Sequence, residues 1–366
     1  MLVPLFSSYT ITLSPSAPDR AQPVSLALPC PADDVDLFLS EPTTEVVQSL
    51  AGMTGPILVL GAGGKMGLHL CLMLRRAMHL LSRSDAVVAV SRFSTLRDRA
   101  IFEQHGIKTQ VCDLADEEQL AVLPSASTVF FLAGAKFGTD ANAALLHRAN
   151  VEVPQKVAAR FRTARIIAFS TGCVYPFVPI ASGGATEVTR PQPVGAYAES
   201  CLAREQAFSD AAAHHGTRVV LIRLNYSVEF RYGVLVDVAQ KILAGQPVDV
   251  TTGHFNAIWQ RDAVAHIIQS WACTESPAVP LNITGQETLS VREVARHFGK
   301  LLGRRVEFTG QESATAWLNN ATRAHRRFGP PPTTPEQMMA WIAAWLTRGG
   351  STWGKPTAFE NREGRF

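Results

Sequence analysis

The chain has 366 residues, 46% of them hydrophobic, enough to bury a sizeable core in one large two-lobed unit or two domains. Its 34 basic and 31 acidic residues leave a net charge of +3 and are spread along the chain, with no basic tract that argues for nucleic acid or a membrane surface. The six cysteines are scattered and form no C-x-x-C pair, which fits a reducing, cytoplasmic setting better than a disulfide framework.

Residues 1–54 open Pro- and Ser-rich and turn mildly helical at "DDVDLFLS" and "TEVVQSLAG", reading as an N-terminal extension packed on the main body. The opening "MLVPLFSSYTITLSPSAPDR" lacks the basic start and long apolar run of a signal peptide. No segment approaches the roughly 20 continuous apolar residues of a membrane span, so a soluble protein is expected.

Residues 55–227 alternate short apolar strands with helical patterns. "PILVLGAGGKMGLHLCLMLRRAM" reads as strand, Gly-rich turn and helix; "AVVAVSR", "TQVCDLAD", "TVFFLAGAKF", "RIIAFSTGCVYP" and "RVVLIRLNY" read as further strands. This alternation predicts an α/β fold, a doubly wound parallel sheet of Rossmann type, which binds ligands at the carboxyl ends of its strands. Residues 228–348 are helix-rich ("VDVAQKILAG", "VAHIIQSWA", "SVREVARHFGKLLG", "PEQMMAWIAAWL") and read as a smaller substrate-binding lobe, one segment of which returns to the sheet. Ser290 and Glu293 have capping-box spacing, and Thr334-Pro335 suits an N-cap and first turn. Residues 349–366 are polar and read as a tail or an arm.

Gly61, Gly64 and Gly67 are spaced G-x-x-G-x-x-G after the first strand, with Lys65 and Met66 inside the turn. Such a turn lets backbone approach a pyrophosphate, which the amides and positive dipole end of the following helix then hold. The second strand ends in Ser91-Arg92, with Arg97 near, and carries no acid for a ribose 2′-hydroxyl. A guanidinium suits a 2′-phosphate, so NADP is favoured over NAD. Asp113-Leu114 follows the third strand, where a carboxylate can accept from an adenine amino group; an ordinary turn aspartate explains the position equally well.

The order of these motifs resembles the extended short-chain dehydrogenase/reductase family, the NAD-dependent epimerase/dehydratase group that acts on sugars. The resemblance rests on the glycine turn, the "LAGAK" strand end with Ala133, Gly134 and Lys136, "FSTGCVYP", and a tyrosine opening a helix in "VGAYAESC". It runs from about residue 56 to 348 and implies a nicotinamide cofactor, a carbohydrate-like small-molecule substrate and a possible homodimer. It implies Thr171 beside the substrate hydroxyl, Tyr197 as the group that takes or returns its proton, and Lys136 as a lysine after the fourth strand. Ser170 is a weaker candidate beside Thr171. Asn225 and Arg231 are candidate substrate contacts.

The family's Tyr-x-x-x-Lys is here Tyr197-Ala-Glu-Ser-Cys201. The lysine binds the nicotinamide ribose and lowers the tyrosine pKa. With an ordinary pKa of about 10, roughly one phenol in a thousand is ionised at pH 7, and forming the phenolate costs about 4 kcal/mol. Lys136, Arg204 and Arg223 are the candidate replacement cations; Cys201 reads as a small buried filler. A second departure concerns the substrate. Aligning Asp262 with the last residue of the family's "RDfIHVxD" places Phe255 where an arginine would hold a diphosphate, and Asn225 falls one residue early for "R-x-x-N". A free or simply modified sugar, a sugar acid or another hydroxylated small molecule fits at least as well as a nucleotide sugar.

The histidines lack metal-ligand spacing and no G-x-S-x-G elbow is present, so neither a metal site nor an α/β-hydrolase is expected. Three functions remain open. They are an NAD(P)-dependent oxidoreductase or epimerase, a non-catalytic NADP-binding regulatory protein, and a non-redox enzyme on the same scaffold.

Overall fold

A computed structural model of the chain describes residues 26–94, 98–135 and 143–364; Arg97 and Lys136 lie outside the described residues. Seven strands form one parallel sheet: β1 (Ile57–Leu60), β2 (Val87–Ser91), β3 (Lys108–Val111), β4 (Thr128–Phe131), β5 (Arg165–Thr171), β6 (Arg218–Leu224) and β7 (Val279–Ile283). Their order is β7-β6-β5-β4-β1-β2-β3. The direction of winding reverses between β1 and β4, which makes that gap the topological switch point.

Eight helices have eight residues or more among the described residues: α1 (Thr44–Ala51), α2 (Gly67–Leu80), α3 (Val153–Arg160), α4 (Ala196–His215), α5 (Val234–Leu243), α6 (Gln260–Gln269), α7 (Val291–Leu302) and α8 (Pro335–Thr347). Strand residues alternate between two faces, so both must be covered. Ile57, Val59 and Ile167 pack under α1, α2 and α6. Leu58, Leu60 and Ile166 pack under α3 and α4 through Val157 and Phe208. None of the described helices is long and apolar enough to cross a membrane.

The small lobe has its own core, in which Val238, Trp259, Phe298, Met338 and Ile342 meet. Thr334 and Gln337 complete a full capping box at α8, whereas Ser290 closes only half of one, accepting from the Glu293 N–H at 3.3 Å. The N-terminal extension joins both parts. Val46 and Leu50 enter the sheet core while Val35 and Leu39 enter the lobe core. Its Asp36 meets His69 at 2.7 Å and Arg231 at 2.8 Å, and these two partners hold its carboxyl far below the usual range despite the opposing effect of burial.

Residues 349–364, expected to be a polar tail or an arm, run over the body as an arm. Phe359 is fully buried in the lobe core and Thr357 in a bonded site on α5, so these residues are part of the body. A single apolar anchor among polar neighbours is enough to fix the segment when the surrounding hydrogen bonds are satisfied.

Candidate active site

The carboxyl ends of β1, β4 and β5 open onto two adjoining cavities that share Gly61, Gly64 and Leu132. One, about 360 Å³, runs from the glycine turn past Ser91, Arg92, Asp113, Leu114, Ala133 and Gly134. The other, about 300 Å³, is lined by Lys65, Met66, Ser170, Thr171, Tyr197 and Asn225. The cleft thus gathers residues from "LGAGGKMG", the strand ends and the tyrosine helix. Arg231 is not part of it. Its guanidinium is held by Glu229 at 3.1 Å and Asp36 at 2.8 Å, away from the cavity. Lys136 lies outside the described residues.

The three glycines have different jobs. Gly61 has φ +85°, and a Cβ there would stand 2.5 Å from the Ala133 amide nitrogen, so the turn can touch the β4 loop only with glycine. A Cβ on Gly67 would overlap the Ala62 carbonyl, which seats α2 against the turn. Gly64 is different: its nearest protein neighbour would be the Gly61 oxygen at 3.4 Å, an almost ordinary contact. What the missing Cβ leaves open at Gly64 is the cleft itself. Met66, in the N-cap position of α2, makes no side-chain cap, so the first-turn amides are not closed off by a side chain. This cradle fits a dinucleotide pyrophosphate. Arg92 is exposed at the rim. Asp113 accepts from the Ala115 N–H at 3.0 Å and lies 3.5 Å from Arg148, so its carboxylate is partly engaged within its own loop.

Tyr197, Cys201 and Arg204 fall on one face of α4. The Tyr197 ring packs against Cys201, which is fully buried among Val174, Tyr175 and Ala185. Burial pushes the phenol well above its ordinary pKa, the Cys201 thiol adds to this, and the Arg204 charge pulls the other way. Arg204 donates to the Phe169 carbonyl at 3.0 Å and to Asn150 Oδ1. Both acceptors are neutral, its Nε is buried without a partner, and among the described residues no carboxylate pairs with it. Arg223 is not available for this role. It is bound by Glu205 through Nε at 3.0 Å and Nη2 at 2.7 Å, and donates to Tyr175 at 2.8 Å.

Thr171 Oγ accepts from the Cys173 N–H at 3.2 Å and faces the cavity. Ser170 also lines it but donates to Glu205 at 2.6 Å, which commits its hydroxyl to the protein. Asn225 is 3% exposed and lies at the end of β6, its amide 3.4 Å from the Trp317 carbonyl oxygen.

Several cleft residues carry little signal in the sequence. Asn150 sits in a π-helical turn, Arg148–Glu152, where its amide ties Ala135 (3.0 Å both ways), Ser200 (2.9 Å) and Arg204 together. A Cβ on Gly134 would overlap that guanidinium, which explains the glycine of "LAGAK". Tyr226 lines the cavity with φ +38°, a strained backbone of the kind found at ligand sites. Lys65 Nζ stands 3.2 Å from the centroid of the Tyr232 ring. Gln260, Ser227 and Thr357 complete the lining.

Comparison with known proteins agrees with this architecture. The family model for the NAD dependent epimerase/dehydratase family matches residues 57–264, more than half of the chain. No curated protein matches in sequence. Among solved structures, MoeE5 in complex with UDP-glucose and NAD is 22% identical with TM-score 0.65, covering 81% of this chain and 99% of that one. UDP-glucose 4-epimerase from Thermus thermophilus in complex with NAD is 19% identical with TM-score 0.66, covering 80% and 99%. UDP-glucuronic acid 4-epimerase from Bacillus cereus in complex with NAD is 18% identical with TM-score 0.65, again covering 80% and 99%. At these identities the likeness concerns the fold. The family match, together with the glycine turn and the tyrosine helix meeting in one cleft, leads to one conclusion: the chain belongs to the NAD dependent epimerase/dehydratase family.

Proposed function

We propose that this protein is an NAD(P)-dependent oxidoreductase or epimerase acting on a hydroxyl or ketone of a sugar-like molecule. The observation that carries the reading is that Thr171, Tyr197 and the glycine turn line one continuous cleft at the switch point of the sheet. A nicotinamide dinucleotide, when bound, supplies the hydride acceptor or donor. Gly61, Gly64 and the amides of α2 hold its pyrophosphate, and Arg92 faces the adenosine ribose end, favouring a 2′-phosphate. Thr171 donates to the substrate oxygen. Tyr197 takes or returns the proton on that oxygen, and the Arg204 charge, in place of the family's lysine, makes the phenolate less costly.

The test is direct. The purified protein is examined for bound nicotinamide, then incubated with a panel of free sugars, sugar acids and keto-sugars. Oxidoreductase turnover is followed at the reduced-cofactor absorbance band, and epimerase turnover, which returns the hydride and leaves no net change there, by chromatography of the sugar products. Tyr197→Phe is expected to lower turnover by about 10²- to 10⁴-fold with cofactor affinity kept. Full turnover in that variant removes Tyr197 from the chemistry.

One observation favours a second reading, a cofactor-binding protein without turnover: a buried thiol stands beside the phenol where the family has an ammonium. That reading predicts tight cofactor binding with neither an absorbance change nor an epimerised product from any substrate.

A further inference from the structure

Residues 349–364 run from the small lobe to the loop that leads into α4, and each step is fixed to the body. Trp353 donates its indole N–H to Glu229 at 2.8 Å. Thr357 donates its backbone N–H (2.7 Å) and its hydroxyl (2.5 Å) to Asp237 on α5. The Phe359 ring lies 6.4 Å from that of Phe255, centroid to centroid. Arg362 donates to the Thr315 carbonyl at 2.7 Å and covers the Phe177 ring at 4.0 Å. Gly364 closes on Gly195: a Cβ on Gly195 would stand 2.6 Å from the Gly364 oxygen.

This strap forms part of the 300 Å³ cavity, which Thr357 lines together with Tyr197. We infer that the strap closes one side of the substrate cavity through Thr357, and that the site takes a compact polyhydroxylated carbonyl compound or its alcohol, not a nucleotide-linked one. The inference rests on the proposed reading of the cleft as a dehydrogenase-type site.

Size and charge both point this way. Ligand cavities span about 300 to 1,000 Å³, and this one, which must also admit the nicotinamide, is at the lower end. A diphosphate calls for guanidinium or ammonium donors. Among the described lining residues Lys65 alone is a cation, and its ammonium lies over the Tyr232 ring. Phe255, at the place of the family's diphosphate arginine, is 1% exposed and packed against Phe359. What the lining offers instead is neutral: Thr171, Asn225, Ser227, Gln260 and Thr357. The Ser227 hydroxyl is buried with no protein partner, a deficit that a substrate hydroxyl removes.

Two measurements on the full chain loaded with reduced cofactor test the wall. Calorimetric titration with UDP is expected to show no binding, and a Kd tighter than about 0.1 mM overturns the inference. Alkylation of Cys173, a cavity residue, by iodoacetamide is read by peptide mass spectrometry. It is expected to accelerate at least about tenfold in Thr357→Val, which removes the hydroxyl bond that fixes the strap to Asp237; equal rates overturn the inference. Arg362→Ala, which frees the far end of the strap from Thr315 and the Phe177 ring, is a second variant expected to accelerate alkylation at least about threefold. If the panel yields no turnover at all, the dehydrogenase reading fails, while UDP binding and Cys173 alkylation still decide whether the wall is real.

Discussion

The two halves of the cleft are made of different material. The dinucleotide half is largely backbone: a glycine turn, the ends of β1, β2 and β4, and the first amides of α2. The substrate half is largely side chains, brought from positions as far apart as Lys65, Tyr197, Gln260 and Thr357. A backbone site works by steric permission, so it is broken by adding an atom. A side-chain site works by charge and hydrogen bonding, so it is broken by removing one.

The largest expected effect of that kind is in the backbone half. Gly61→Ala forces a side chain into a positive φ with a Cβ 2.5 Å from a backbone nitrogen. Strain of about 3 kcal/mol corresponds to a loss of cofactor affinity of at least roughly 100-fold, read by fluorescence titration with reduced cofactor. An unchanged affinity would show that the turn relaxes without harm.

The next effect belongs to the side-chain half. Arg204→Met removes a cation that favours the phenolate of Tyr197. With the cation gone the phenol ionises only at higher pH, so the rising limb of the pH–rate profile moves in the alkaline direction. Turnover at pH 7 is expected to fall about 10- to 100-fold with cofactor affinity changed far less. Returning the charge to its usual place in the double variant Cys201→Lys, Arg204→Met should move the profile back. A profile that ignores both changes would mean that the charge on Tyr197 comes from elsewhere.

The smallest effect sharpens the boundary at the rim. Arg92→Ala is expected to weaken NADP(H) binding about tenfold and leave NAD(H) unchanged, since one exposed guanidinium–phosphate contact is lost. Equal weakening of both would make Arg92 a general wall residue and leave the choice of cofactor to the rest of the pocket.

The same division explains what could be read from the amino-acid order. The backbone half leaves a trace in sequence because it needs glycine at fixed steps between an apolar strand and an apolar helix, here Gly61, Gly64 and Gly67. The parallel sheet is equally legible, since strands covered on both faces are continuously apolar. β7 is harder to see: "VPLNI" is short, contains a proline and follows a long helical stretch. The substrate half leaves little trace. Arg204 looks like any helix-surface arginine until Gly134, Phe169 and Asn150 close around it. Arg231 looks free in sequence, but Asp36, some 195 residues earlier, claims it. Thr357 and Phe359 stand in a polar stretch with no periodicity, and their meaning comes from Asp237 and Phe255, more than 100 residues away.

The strap also sets an order of events during synthesis. Every strand end that forms the dinucleotide half has been made by Leu224, whereas the wall of the substrate half waits for Thr357. At about 5 to 20 residues per second this interval lasts roughly 7 to 27 s. Over that time the glycine turn and the strand ends exist while the cavity beside Tyr197 still lacks one side. In the order of synthesis the cradle comes before the wall, and the cavity closes only when the strap docks.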